Sequence, residues 1–200
     1  KFPRADRGTS IRVRSMIRLV VPSVDYHRSW LAAAEEFAQT GEYMHGSGLA
    51  PDDMADEDVM GTIFRPSKMT STEVFAQFCH EMRERTKRDV VEPLGWVPDS
   101  KLFIVEGNEF VGSASIRHEL NDWLLREGGH IGYSVRPSAR RRGIATEALR
   151  QGLDLARGLG IDRALVTCKD DNLASAGTIE KNGGVLENVL DGNRRYWIDL

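Results

Sequence analysis

Three consecutive arginines, Arg140, Arg141 and Arg142, stand directly before Gly143, and Gly143 stands before an apolar pattern of helical period. Upstream, the apolar run ending at Val135 is stopped by Arg136-Pro137-Ser138. The order is strand, short basic loop, helix. The first N–H groups of a helix have no partner inside it, and the aligned peptide dipoles favour an anion there. A glycine at the start lets a ligand approach the backbone. Arginine forks add charge that fits phosphate oxygens. The chemistry on offer is the holding of a pyrophosphate by Arg140, Arg141, Arg142 and the helix start at Gly143, Ile144, Ala145 and Thr146. The same residues also describe a surface loop with three solvated arginines, and the segment alone leaves both readings open. It is not a P-loop, which would end in Gly-Lys-Ser/Thr, and it lacks the Gly-x-Gly-x-x-Gly of a dinucleotide site.

The elements that must position this loop can be read from periodicity. Ile17 to Val21 reads as a strand, stopped by Pro22-Ser23, which can cap a helix. Tyr26, Trp30, Ala33, Ala34 and Phe37 follow at helical spacing, and Gly41 ends that helix. Residues 42–69 are loop-like, with acidic Asp52, Asp53, Asp56, Glu57 and Asp58. That stretch is a solvated loop, a short helix near 52–60, or a lip that attracts a cationic acceptor. Thr70-Ser71-Thr72-Glu73 fits a capping box for a second helix through Met82. Leu102 to Val105 and Phe110 to His118 form a hairpin about Gly107-Asn108. His130 to Val135 is a strand, about Gly143 to Arg157 a helix, and Arg163 to Cys168 a strand. Strand, helix, strand implies a right-handed crossover and parallel pairing. A helix from Asn172 to Asn182, with Asp171 as its cap, precedes a hairpin of Val185–Leu190 and Arg194–Leu200 about Asp191-Gly192. The whole predicts an α/β fold with a central mixed, mostly antiparallel sheet and helices on both faces.

The chain has 200 residues, 40% hydrophobic and 28% charged, a size and composition that suit one folded domain. Residues 1–15 are basic and without period, and read as an N-terminal extension or an added segment, with Met16 as the native start and 16–200 as the domain. A net charge of -3 gives no basic field for nucleic acid, so no nucleic-acid partner is expected. No apolar run is long enough for a bilayer, so no membrane association is expected either. Two isolated cysteines, Cys79 and Cys168, make neither a zinc site nor a disulfide framework; no metal is expected, and the location expected is cytoplasmic.

Arg140-x-x-Gly143-x-Ala145 resembles the Gln/Arg-x-x-Gly-x-Gly/Ala signature of the GNAT acetyltransferases. Asn172-Leu173-Ala174-Ser175, leading to Glu180-Lys181-Asn182-Gly183, resembles the helix that follows in that family. Arg117-His118-x-Leu120-Asn121, Gly128-Gly129-His130-Ile131-Gly132-Tyr133 and Gly183-Gly184 resemble a set of predicted acetyltransferases within it. The resemblance covers residues 100–190 and is weak before residue 70.

The resemblance implies a GNAT-like fold and acetyl-CoA as acyl donor, with its pyrophosphate on residues 140–146. The strand from His130 would splay from its parallel neighbour. Pantetheine would lie in the gap, bonded by backbone near Tyr133, Ser134 and Val135. Acetyl would pass directly to a small-molecule or peptidic amine in a ternary complex. His130 falls near the position of the family's glutamate base, and an ordinary histidine titrates near ~6.5. Glu127 is the second candidate, and the plainer role for His130 is a hydrogen bond within the sheet. Where many relatives carry an acidic tyrosine this chain has Ile179, so the proton for the leaving thiolate would come from Ser175 or from solvent. Asn172 would orient pantetheine. Arg117, His118 and Asn121 would border the acceptor site, or face water at a hairpin end. A catalytically silent acyl-CoA-binding module is the alternative. The protein would be a monomer or a homodimer, with the C-terminal hairpin as a pairing edge.

Overall fold

The computed structural model describes residues 16–50, 52 and 64–200. Residues 1–15, the acidic run from Asp53 to Asp58 and most of the helix expected near 52–60 lie outside the described residues.

Strand β1 (Ile17–Val20) ends at Val21-Pro22, and Ser23 caps a single 3-10 turn by accepting the Asp25 N–H at 3.3 Å. Helix α1 (His27–Thr40) buries Trp30, Ala33, Ala34 and Phe37, the stripe its spacing predicts, and stops at Gly41 with φ 66°. Helix α2 (Thr72–Glu84) buries Phe75, Phe78, Cys79 and Met82. Its cap is Ser71 rather than Thr70, because the Ser71 hydroxyl accepts the Val74 N–H at 3.4 Å. A four-residue helix α3 (Arg88–Val91), too short to announce itself by period, leads onward.

Strands β2 (Asp99–Glu106), β3 (Glu109–Arg117) and β4 (Ile131–Val135) join β1 in an antiparallel sheet of order β1-β2-β3-β4. A π-helical turn at Leu124–Gly128 precedes β4. Helix α4 (Ile144–Gly158) carries the chain to β5 (Arg163–Lys169), and α5 (Leu173–Lys181) follows. Asn172, not Asp171, caps α5: its Oδ1 accepts the Ser175 N–H at 3.0 Å. β6 (Val185–Leu190) and β7 (Asn193–Asp199) complete a second sheet of order β5-β7-β6.

The parallel pairing expected between β4 and β5 does not form; the two strands belong to different sheets. They are tied at one level. The His130 N–H donates to the Leu165 carbonyl at 2.6 Å, and the Leu165 N–H donates to His130 Nδ1 at 2.9 Å. An imidazole takes the place of the next backbone acceptor, so the ladder stops there. Gly129 makes this approach feasible, since a side chain on it would lie 2.6 Å from the Leu165 carbonyl oxygen and its φ is 62°. Beyond His130 the strands part, and β4 is left as a sheet edge.

Two cores hold the split open. One lies between the sheets and helices α4 and α5, around Ile116, Ile131, Leu149, Val166 and Ile179. The other joins α1 and α2 to the β2–β3 hairpin through Trp30, Phe75, Phe78, Phe103 and Phe110. Phe103 and Phe110 meet edge to face at 5.0 Å. Each such ring removed from water stabilises by about 2 kcal/mol. Helix α1 is thereby fixed against β3, which places Glu36 and Glu42 beside the loop that follows β4.

Candidate active site

A cleft of about 850 Å3 opens where β4 and β5 part. Its walls are Tyr133, Ser134 and Val135 of β4, the loop from Arg140 to Thr146, and Asn172, Ser175 and Thr178 at α5. Gly143 caps α4 with φ 83°, and the first backbone bond of the helix runs from the Glu147 N–H to the Gly143 carbonyl at 3.1 Å. The N–H groups of Ile144, Ala145 and Thr146 therefore precede the ladder and remain for a ligand. Arg141 has φ 60°, a left-handed backbone that a non-glycine residue adopts only under constraint. Two left-handed residues bracketing Arg142 curl the loop so that successive amides converge, a shape suited to an anion.

The three arginines do not share one task. Arg140 makes a two-pronged pair with Glu42, both prongs at 2.8 Å, and its Nε donates to the Val135 carbonyl at 3.0 Å. Arg142 lies against Glu106 at 2.7 Å and does not line the cleft. Arg142, expected at the phosphate site, is here held by the Glu106 carboxylate. Arg141 lines the cleft and has no carboxylate partner among the described residues. A third brace comes from Glu36, which binds Arg136 Nε at 2.8 Å and the Ser138 N–H at 3.0 Å. The Arg136 bond pulls the Glu36 pKa down to about 2 against the opposing effect of burial.

Across the cleft, the Tyr133 hydroxyl lies 3.0 Å from Ser175 Oγ. Burial pushes the Tyr133 phenol up to about 12, so this pair stays protonated near neutrality. Ile179 is fully buried in the core. The phenol reaches the start of α5 from β4. Ser134 Oγ, also in the cleft wall, is buried without a hydrogen-bond partner among the described residues. An orphaned hydroxyl, an unpaired strand edge and free helix N–H groups fit a long ligand carrying amides at one end and phosphates at the other.

His130 does not line the cleft. It is 7% exposed, its Nδ1 is taken by the Leu165 N–H, and burial together with the Arg117 charge lowers its pKa to about 4. An imidazole so disposed is a weak base. The Glu127 side chain is exposed on the π-helical turn and does not line the cleft; its backbone carbonyl accepts the Thr167 hydroxyl. Arg117 and Asn121 come together in the wall of a separate small cavity, while His118 bonds Ser100 Oγ at 2.9 Å outside it.

His45 lies in the cleft and was invisible to sequence reading, because it sits in a loop without period. Only the fold brings it in. Neighbouring Gly46 lies so near β4 that a side chain there would be 2.9 Å from the Gly132 carbonyl oxygen. Burial and the Lys169 charge lower the His45 pKa, which favours the neutral ring.

A sheet divided at one strand edge, with a glycine-capped helix over the mouth of the division, forms a cleft with free amide donors at one end. The chain belongs to the acetyltransferase (GNAT) domain family, whose model matches residues 48–185. Among the curated proteins none matches the sequence. Among solved structures, the microcin C7 self-immunity acetyltransferase MccE in complex with acetyl-CoA and AMP is similar at 16% identity and TM-score 0.59, over 92% of each chain. Mycobacterium smegmatis RimJ in complex with a CoA disulfide is similar at 20% identity and TM-score 0.59, over 92% of this chain and 80% of that one. RimL, a ribosomal L7/L12 alpha-N-protein acetyltransferase in complex with coenzyme A, is similar at 19% identity and TM-score 0.55, over 95% and 97%. At these identities the likeness is one of fold.

Proposed function

We propose that the protein transfers an acetyl group from acetyl-CoA to an amine, by direct attack within a ternary complex. The observation that carries this is the cleft itself: free α4 N–H groups at one end, an unpaired β4 edge along its length, and the Tyr133–Ser175 hydroxyl pair opposite. The solved structures of similar fold crystallised with acetyl-CoA or coenzyme A support the same donor. Acetyl-CoA supplies the activated thioester. The N–H groups of Ile144, Ala145 and Thr146, with Arg141, hold its phosphates. The β4 edge from Tyr133 to Val135 binds the amide-bearing arm, helped by the Ser134 hydroxyl and by Asn172, which steadies the start of α5. A β4 N–H aimed at the carbonyl oxygen stabilises negative charge there.

His45 accepts the proton that the attacking amine releases, at whichever ring nitrogen faces the cleft. Ser175 Oγ holds the proton for the departing sulfur, and Tyr133 backs it. His130 is a positioning residue that ends the β4–β5 ladder and so opens the cleft. Residues 16–200 act as one domain. The protein works in the cytoplasm; among the described residues no helix is long and apolar enough to cross a membrane. It is a monomer, or a homodimer through the free edge of β6, whose Val185 and Val189 are exposed.

Calorimetric titration with acetyl-CoA, coenzyme A and ATP tests the donor site. Saturable binding of the first two but not ATP is expected, weakened at least about tenfold in Gly143→Asp by like charge at the helix start. No binding of acetyl-CoA would end this reading. Binding without turnover on a panel of amines would favour the silent acyl-CoA-binding module, which Ile179 at the usual tyrosine position keeps in view.

A further inference from the structure

On the other face of β4 from Tyr133 lies a second cavity of about 170 Å3. Alternate residues of a strand point to opposite faces. Tyr133 reaches α5, whereas the Arg117 guanidinium lies 3.4 Å from where a side chain on Gly132 would begin. The cavity holds three cations, Arg85, Lys101 and Arg117. Among the described residues they have one carboxylate between them. Asp99 takes Arg85 Nε on one oxygen at 2.8 Å, and Lys101 Nζ at 2.9 Å with the Ser115 hydroxyl at 2.8 Å on the other.

Arg117 is left over. Its Nη1 donates to the Gly128 and Gly129 carbonyls at 2.9 and 3.3 Å, and among the described residues no carboxylate pairs with it. Burial and the neighbouring guanidiniums hold the Lys101 ammonium below the usual lysine range. Among the described residues three cations, Lys101 buried and Arg85 and Arg117 partly buried, face one carboxylate, which leaves two positive charges unmatched, a costly arrangement unless an anion joins them. The remaining walls include Trp96 and Trp123, and Trp96 is stacked under Arg85 at 4.3 Å. Flat apolar walls and a guanidinium fork suit a carboxylate on a short aliphatic stem.

We propose that this cavity is an anion subsite of the acceptor, so that the amine substrate carries a carboxylate, which docks against Arg117, Lys101 and Arg85. This assignment rests on the acetyl-transfer reading for its purpose but not for its test. Arg117 and Asn121 are then specificity residues, and the strand between the two cavities separates donor from acceptor anchor.

The test is titration of the intact protein with glutarate, followed through tryptophan fluorescence, since Trp96 and Trp123 are in the walls. Glutaramide and inorganic phosphate are the comparison probes. Saturable quenching by glutarate, with none by glutaramide and weaker quenching by phosphate, is expected. Asn121→Asp keeps the oxygen that accepts the Leu124 N–H at 2.9 Å and adds a negative charge, so it should fold and weaken glutarate at least about tenfold. Arg117→Lys should retain part of the binding, and Arg117→Gln should lose it. Equal response to glutarate and glutaramide, tighter phosphate than glutarate, or unchanged glutarate affinity in Asn121→Asp would each overturn the assignment. Acetyl-CoA affinity, measured separately by calorimetry, reports on the donor cleft, so failure of one reading is distinguishable from failure of the other.

Discussion

The protein carries two groups of basic side chains, and their carboxylates are distributed in opposite ways. At the cleft mouth Arg136, Arg140 and Arg142 each have a carboxylate of their own, Glu36, Glu42 and Glu106. Those acids come from α1, the loop after it, and β2. Such partly exposed pairs stabilise little individually. Their effect is to brace one loop from three sides and leave Arg141 and the helix N–H groups for a ligand. Behind β4, three cations share Asp99 alone. Burial there makes each unmatched charge costly. The same residue types form a scaffold when paired one to one, and a receptor when the cations outnumber the acids.

The largest expected effect breaks the second group. Although burial works against it, the Lys101 and Arg85 charges hold the Asp99 carboxyl well below the usual range. Asp99→Asn keeps the shape and removes the only counter-charge among the described residues. It should cost about 3–5 kcal/mol in urea unfolding at pH 7. Glu106→Gln, which frees Arg142 at the mouth, should cost under about 1 kcal/mol. Equal losses would erase the contrast between brace and receptor.

His130 stands at the seam between the two groups, near Arg117 and bonded to Leu165. Its folded pKa of about 4 lies below the ordinary ~6.5. Between those values the unfolded chain binds more protons, so stability rises with pH across that window. The contribution is complete above pH ~6.5 and is lost as pH falls toward 4, about 2 kcal/mol of it by pH 5. His130→Asn keeps an acceptor for the Leu165 N–H but does not titrate. Urea melts at pH 7 and pH 5 should therefore converge in the variant; a wild-type difference there would remove His130 as the source.

Much of this arrangement was legible in the sequence, and the unread parts have physical reasons. Arg140-x-x-Gly143-x-Ala145 located the helix start because a strand stop, a basic loop and a glycine are all local signals. The α5 helix was read, but its cap was misplaced by one residue, since Asp171 and Asn172 have equal capping chemistry and only geometry decides. The break between β4 and β5 depends on an imidazole replacing a backbone acceptor, which no period records. The pairing of arginines with Glu36, Glu42 and Glu106 spans 36 to 100 residues of sequence. His45 enters the cleft by a contact of comparable range. Three arginines in a row therefore looked equivalent, and the fold made them different.

That difference gives the finest test of the comparison. Arg141 lines the cleft with no carboxylate partner among the described residues, so its charge remains for phosphate oxygens. Arg142, held by Glu106, has spent its charge on the loop. Arg141→Ala should weaken acetyl-CoA about tenfold by calorimetry, the scale of one charge-assisted contact. Arg142→Ala should weaken it less than about twofold, because a solvent-exposed brace contributes little. The Arg141 effect should shrink as salt rises, since a partly exposed charge is screened within about 10 Å at 0.1 M. If both variants lose affinity alike, the arginines act as a diffuse basic patch and the one-to-one pairing carries no meaning for the ligand. If only Arg141 matters, Glu42 of the loop after α1 and Glu106 of β2 have decided which of three identical neighbours meets the phosphate.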